Sequence, residues 1–243
     1  MNTAKDHYDQ HLAAVYSWMA GAPEAAIQRN HDLFHQLGID SMPRGLAIDL
    51  GAGSGSQSIP LAELGFSVVA VDFCEALLSE LNNRANHLSI RIIHDNILNF
   101  LNYAEEQAQV IVCMGDTLTH LESLSSVQSL LTSVGNALAI HGKFVLTFRD
   151  YVSTKPRGAK RFIPVRSDES TILTCFLDYH EDVVEVYDLL HRKDGDQWEL
   201  KVSSYPKLRI DSNWVCVQLQ KAGLEVVRHE MINGIMCIVA QKI

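Results

Sequence analysis

The chain has 243 residues, 47% of them apolar and 20% charged, a composition that supports a large globular core without disulfides or a structural metal. Its net charge of −9 leaves no extended cationic face, and the basic cluster at residues 155–161 is broken by Pro156 and Gly158, so a nucleic-acid partner is disfavoured. Five scattered cysteines without a C-x-x-C pair, a polar start and no apolar run near the ~18–20 residues of a membrane span predict reduced thiols, a cytoplasmic chain and no membrane partner.

Residues 1–43 read as an N-terminal helical cap. Leu12, Val15, Tyr16 and Met19 recur at helical spacing before Gly21 and Pro23, and a second helical stretch follows over 24–37. Residues 44–150 alternate short apolar runs (46–50, 67–71, 90–94, 110–114 and 143–148) with helical patterns. Runs of that kind predict parallel strands covered on both faces. One crossover helix is expected over 121–138, with Gly142 as its stop signal.

Residues 151–210 change texture to adjacent strands (172–179, 183–191, 198–205) with a turn at Asp194-Gly195. This predicts an antiparallel β insertion that serves as a lid or a dimer contact. Residues 211–243 give a helix over 213–222 and a hairpin turning at Asn233-Gly234, which completes the core. The fold class is therefore α/β: a Rossmann-like, doubly wound, mostly parallel seven-stranded sheet with a C-terminal antiparallel hairpin.

The strongest chemical signal is Asp49-Leu50-Gly51-Ala52-Gly53-Ser54-Gly55, where the first strand turns towards a helix. Glycines there permit positive φ and close approach of a ligand. Asp72 ends the second strand 17 residues after Gly55, at a place where a carboxylate can accept from ribose hydroxyls. The G-x-G-x-G spacing departs from the G-x-G-x-x-G of dinucleotide enzymes, and Asp49 suits a cationic or zwitterionic ligand better than a phosphate.

These motifs resemble those of the class I S-adenosylmethionine-dependent methyltransferases over about 45–151 and again in the C-terminal hairpin. The fourth- and fifth-strand stretches look like those of glycine N-methyltransferase and its small-molecule relatives. The resemblance implies S-adenosyl-L-methionine as cofactor, with Gly51, Gly53 and Gly55 beside its methionine and ribose, Asp49 at the motif's head and Asp72 on the ribose. It also puts Phe73 on the adenine face, Asp95 and Asn96 at the adenine amine, and Met114 and Gly115 towards the sulfonium. Tyr16 belongs to a segment that relatives fold over the cofactor. Arg149 is expected to grip an anion of the substrate. His120, Asp116 and Tyr151 are the candidate catalytic groups. Asp116 and Asp150 stand where those relatives carry asparagine.

Plainer readings stay open: Asp95 as a turn cap, Phe73 and Met114 as packing, Arg149 in a salt bridge with Asp116 or Asp150, and His120 as a capping residue. His31 and His35 lie one helical turn apart without an evident third ligand, so no metal is expected. The reading is methyl transfer to a small-molecule N or O acceptor by a monomer or homodimer. The alternatives are an NAD-dependent oxidoreductase and a noncatalytic S-adenosylmethionine-binding module.

Overall fold

The computed structural model describes residues 3–85, 87–153 and 155–243. The chain opens with helix α1 (Ala4–His7), a π-helical turn over Tyr8–Leu12, helix α2 (Ala13–Ala20) and helix α3 (Pro23–Gln36). A π turn adds a residue to the helical ladder and rotates what precedes it. The single N-terminal helix expected from periodicity is thus offset at Tyr8–Leu12, and the Tyr8 and Tyr16 rings come within 6.0 Å.

The core follows as strand β1 (Leu46–Leu50), helix α4 (Ser58–Glu63), strand β2 (Ser67–Asp72), helix α5 (Glu75–Arg84) and strand β3 (Ile90–His94). Strand β4 (Ala108–Cys113), helix α6 (Leu124–Ala137) and strand β5 (Leu138–Phe148) complete the parallel part. Gly142 is not the stop signal of α6. The helix ends at Ala137 and passes directly into β5, while Gly142 lies inside that strand. A Cβ there would meet the carbonyl oxygens of Ala139 and Ala108 at 2.8 and 3.0 Å, beside an irregularity in the β4–β5 register. The glycine is needed for close backbone approach.

The insertion holds four strands where periodicity predicted three: β6 (Phe162–Ser167), β7 (Thr171–Tyr179), β8 (Val183–Asp194) and β9 (Gln197–Leu208), an antiparallel sheet in that order. Pro164 and the bulge between Pro164 and Arg166 hid β6, and both are tolerated because β6 is an edge. Helix α7 (Ser212–Lys221) and strands β10 (Leu224–Ile232) and β11 (Ile235–Lys242) close the chain. Asn233 and Gly234 both have positive φ, +50° and +81°, as a two-residue type I′ hairpin requires.

The main sheet has the order β10-β11-β5-β4-β1-β2-β3, with β1 to β5 parallel and β11 antiparallel to β5. Strand alternation divides the core into two layers. Ile48, Leu50, Ile111, Cys113, Phe144 and Leu146 pack with Val127 and Leu131 of α6 and Leu219 of α7, while Ala47, Val110, Val112 and Val145 pack with Phe34 of α3. Chain order reverses between β1 and β4, and the loops at their C-terminal ends open the crevice where ligands of such sheets bind. No helix among the described residues is long and apolar enough to cross a membrane.

Candidate active site

Glycine chemistry shapes the loop after β1. Gly51, Gly53 and Gly55 have φ of +84°, +51° and +93°, a region L side chains avoid. A Cβ on Gly51 would lie 2.3 Å from the Thr117 hydroxyl and one on Gly55 2.4 Å from Leu81, so these two glycines also serve packing. Space beside Gly53 is open to 3.9 Å, and beside Gly115, φ +76°, nothing lies within 4 Å. Room for a ligand therefore flanks the second loop glycine and the end of β4.

Asp72 fixes the loop. Its carboxylate accepts from the Gly53 and Cys74 N–H groups, both at 2.8 Å, and burial raises its pKa. Asp49, fully buried, accepts from the Ser58 hydroxyl at 2.6 Å through one oxygen, while its other oxygen has no partner. Burial pushes its pKa up to about 7. A buried acceptor without a donor at the base of the glycine loop fits a ligand that brings an N–H. Asp95 behaves as a cap: its carboxylate accepts from the Asn96 N–H, Asn99 Nδ2 and the Tyr103 hydroxyl. Asn96 caps the following 3₁₀ turn by accepting from the Leu98 N–H.

The N-terminal segment lies over this loop. Tyr8 meets Phe73 edge-on at 5.7 Å and His120 edge-on at 5.7 Å, and Tyr16 is beside Tyr8. Burial raises the pKa of both tyrosines. Met114 is buried, with Gly115 donating its N–H to the Thr147 hydroxyl at 2.7 Å.

The polar centre beside Gly115 is built around Asp116. It accepts from the Arg149 backbone N–H at 3.0 Å, from the Arg149 guanidinium, and from Lys207 Nζ at 2.6 Å. Burial by itself would raise the Asp116 pKa; Lys207 and then Arg149 overcome that and hold it well below the usual carboxylate range. Lys207 stays charged for the reciprocal reason: burial opposes the ammonium, and Asp116 outweighs it. Of the two salt bridges open to Arg149, the structure makes the one with Asp116. Asp150 instead caps the turn after β5, accepting from Val152, Ser153 and the Ser153 hydroxyl.

His120 is enclosed between the Tyr8 and Tyr205 rings, its Nδ1 without a partner, and burial pushes its pKa down to about 3. An imidazole so disposed is neutral near pH 7 and a weak base. Tyr151 is buried and its pKa is raised by burial. Sequence reading missed Lys207, Tyr205 and His7. His7 joins Asp188 and Ser203 at 3.0 Å each and stacks on Tyr205 at 4.0 Å. Their only signal was alternation: Ser203, Tyr205 and Lys207 point from one face of β9 because strand side chains alternate.

Residues 47–142 match the family model described as a methyltransferase domain. Over this stretch the chain is similar to methyltransferase domains. Glycine/sarcosine N-methyltransferase of Aphanothece halophytica is 29% identical over 115 residues, a match that covers 46% of this chain and 43% of that enzyme. The chain thus spans under half the length of this curated relative. The S-adenosylmethionine-bound amino pentose methyltransferase of Micromonospora echinaspora, involved in calicheamicin biosynthesis, shares the fold. Its TM-score is 0.80 at 15% identity, with 96% of this chain and 97% of that one covered. The CcbJ methyltransferase of Streptomyces caelestis superposes with a TM-score of 0.79 at 18% identity, covering 98% of both chains. These superpositions extend through the β6–β9 sheet as well as the seven-stranded sheet.

Proposed function

We propose that this chain transfers the methyl group of S-adenosylmethionine to the nitrogen of a small amine that also carries an anionic group. When bound, the cofactor supplies an electrophilic methyl on a positively charged sulfur. The chain's own residues fit that group: open space beside Gly53 and Gly115, Asp72 at the loop, Phe73 and Tyr16 above it, and the unpaired Asp49 oxygen beneath it. Asp95 and Asn96 border the same edge at the end of β3.

One observation carries the choice of nitrogen. Seven groups around the polar centre are held in protonation states that disfavour taking up a proton near neutral pH. Asp116 is pinned as an ion-paired anion, His120 titrates at about 3, and Lys207, Tyr8, Tyr16, Tyr151 and Tyr205 all have raised pKa values. Asp49, at about 7, is enclosed beneath the loop and bonded to Ser58. A hydroxyl acceptor needs a base in the transition state; an amine that arrives neutral attacks through its own lone pair. Positioning and exclusion of water then supply the acceleration. Lys207 and Arg149 against Asp116 leave one excess positive charge, which suits an anion, and half of the Arg149 side chain remains exposed to meet it.

The supporting relative is a glycine/sarcosine N-methyltransferase, and one fold neighbour is an amino pentose methyltransferase. The test is transfer of labelled methyl from S-adenosylmethionine to a panel of amino acids, amino sugars and their hydroxyl isosteres. The expected result is labelling of amines, with a rate that rises with pH as the acceptor's ammonium loses its proton. Preferential labelling of the hydroxyl isosteres would overturn nitrogen transfer, and absence of labelling across the panel would overturn the small-amine acceptor.

A further inference from the structure

The inner face of the insertion sheet does more than meet the polar centre. Along β9 the residues that share this face are Lys201, Ser203, Tyr205 and Lys207. Lys207 reaches Asp116 and Tyr205 stacks on His120, whereas Lys201, six residues back and thus roughly 20 Å away along a strand, lines a separate cavity. That cavity measures about 110 Å³ and is walled on one side by His7, His11, Leu12 and Val15, on the other by β7, β8 and β9. One water needs only about 10–15 Å³ of such space, so the volume admits a small organic molecule.

Its chemistry is divided. Leu12, Val15 and Leu173 are buried and make an apolar floor. Lys201 pairs in register with Leu190, and Arg192 follows two residues later on the same face, so two cations stand together at the rim. Neither has an ion-pair partner among the described residues, although Glu199 is opposite Arg192 in the β8–β9 register. At the inner end Asp188 is already engaged by His7 and by the Cys175 thiol, at 3.0 and 2.8 Å. Its carboxylate is therefore satisfied within the protein.

We propose that this cavity is a second ligand site, separate from the methyl-transfer centre, for a short-chain carboxylate whose apolar body lies on Leu12, Val15 and Leu173 and whose acid group meets Lys201 and Arg192. Both walls would hold the same molecule, and one of them, the N-terminal segment, also carries Tyr8 and Tyr16 over the cofactor loop. A ligand that binds both walls favours the closed arrangement. Bound carboxylate is therefore expected to slow departure of S-adenosylhomocysteine.

The test uses n-butyrate on the full chain without cofactor, at constant ionic strength, with thermal unfolding as readout and inorganic phosphate as the comparison. Butyrate raises Tm of the wild type and not of the Arg192→Gln/Lys201→Gln variant, whose changed side chains are exposed and outside the methyl-transfer centre. The same butyrate slows S-adenosylhomocysteine release from the wild type alone. An equal Tm response in the variant, or none in the wild type, overturns the site. A response to phosphate as large as that to butyrate overturns the apolar body, and an unchanged release rate overturns the link to the cover. The Tm arm is independent of methyl transfer, so its outcome stands whatever the acceptor assay finds.

Discussion

Nζ of Lys207 lies 2.6 Å from Oδ2 of Asp116, a buried contact between the insertion and the loop after β4 across 91 residues of sequence. Lys207 supplies the charge that the buried Asp116 carboxylate needs. The insertion and the seven-stranded sheet are thereby joined at the centre of the polar site.

Removing that ammonium leaves Asp116 buried with Arg149 as its remaining cation. Lys207→Met is expected to lower stability by roughly 3 kcal/mol, the usual cost of breaking a buried pair from one side. Adding Asp116→Asn should recover part of the loss, because the unpaired charge then disappears. Urea denaturation of the single and double variants measures this; a double variant less stable than Lys207→Met would refute the pairing argument.

Asp49 predicts a pH dependence with a definite sign. Its folded pKa is raised, from an ordinary 3.8 to about 7, so the fold favours the protonated form. The associated stability is complete below pH ~3.8 and is lost as pH rises to about 7, up to roughly 4 kcal/mol in all. Asp49→Asn cannot ionise, so its stability relative to wild type should improve by roughly 2–3 kcal/mol between pH 5 and pH 8. Denaturation at the two pH values without cofactor checks this, and a difference that does not change with pH would show that Asp49 titrates normally.

Asp72 holds the Gly53 and Cys74 amides. Asp72→Ala should weaken S-adenosylhomocysteine binding by about 1–3 kcal/mol, since hydrogen-bonded groups lose their partner. Calorimetry reads the change, and an unaltered Kd removes Asp72 from the cofactor site.

Gly115 separates strain from ligand space. A methyl group there meets nothing within 4 Å, so Gly115→Ala should cost only the backbone strain at φ +76°, about 1–2 kcal/mol. Because that space is where we place reactants, kcat/KM should fall on the order of 10-fold or more. Activity that falls no further than the folded fraction does would mean the space is vacant during turnover.

Much of this protein was legible in local sequence. Apolar runs at 46–50 and 67–71 are followed residue for residue, or within one residue, by β1 and β2, because a strand buried on both faces is largely apolar; β3 keeps the 90–94 bounds but is an edge strand without a buried residue, so the expected cover on both faces fails there. The glycine loop was legible for a similar reason, since positive φ at Gly51, Gly53 and Gly55 restricts the residue type at each position. Local pattern failed at β6, where Pro164 and a bulge disguise an edge strand, and at Gly142, whose role depends on carbonyls of neighbouring strands.

The polar centre required tertiary structure. Lys207, Asp116 and Arg149 come from three distant segments, and nothing in the residues beside Lys207 marks it as buried or paired. The protonation state at His120 is likewise collective: burial, Lys207, Asp116 and His7 set it, and those meet only once the N-terminal segment and the insertion close over the sheet. Sequence fixes what each short segment can become through period and backbone constraint. Which charges meet, and how far water is excluded from them, depends on distances that arise only when the segments pack.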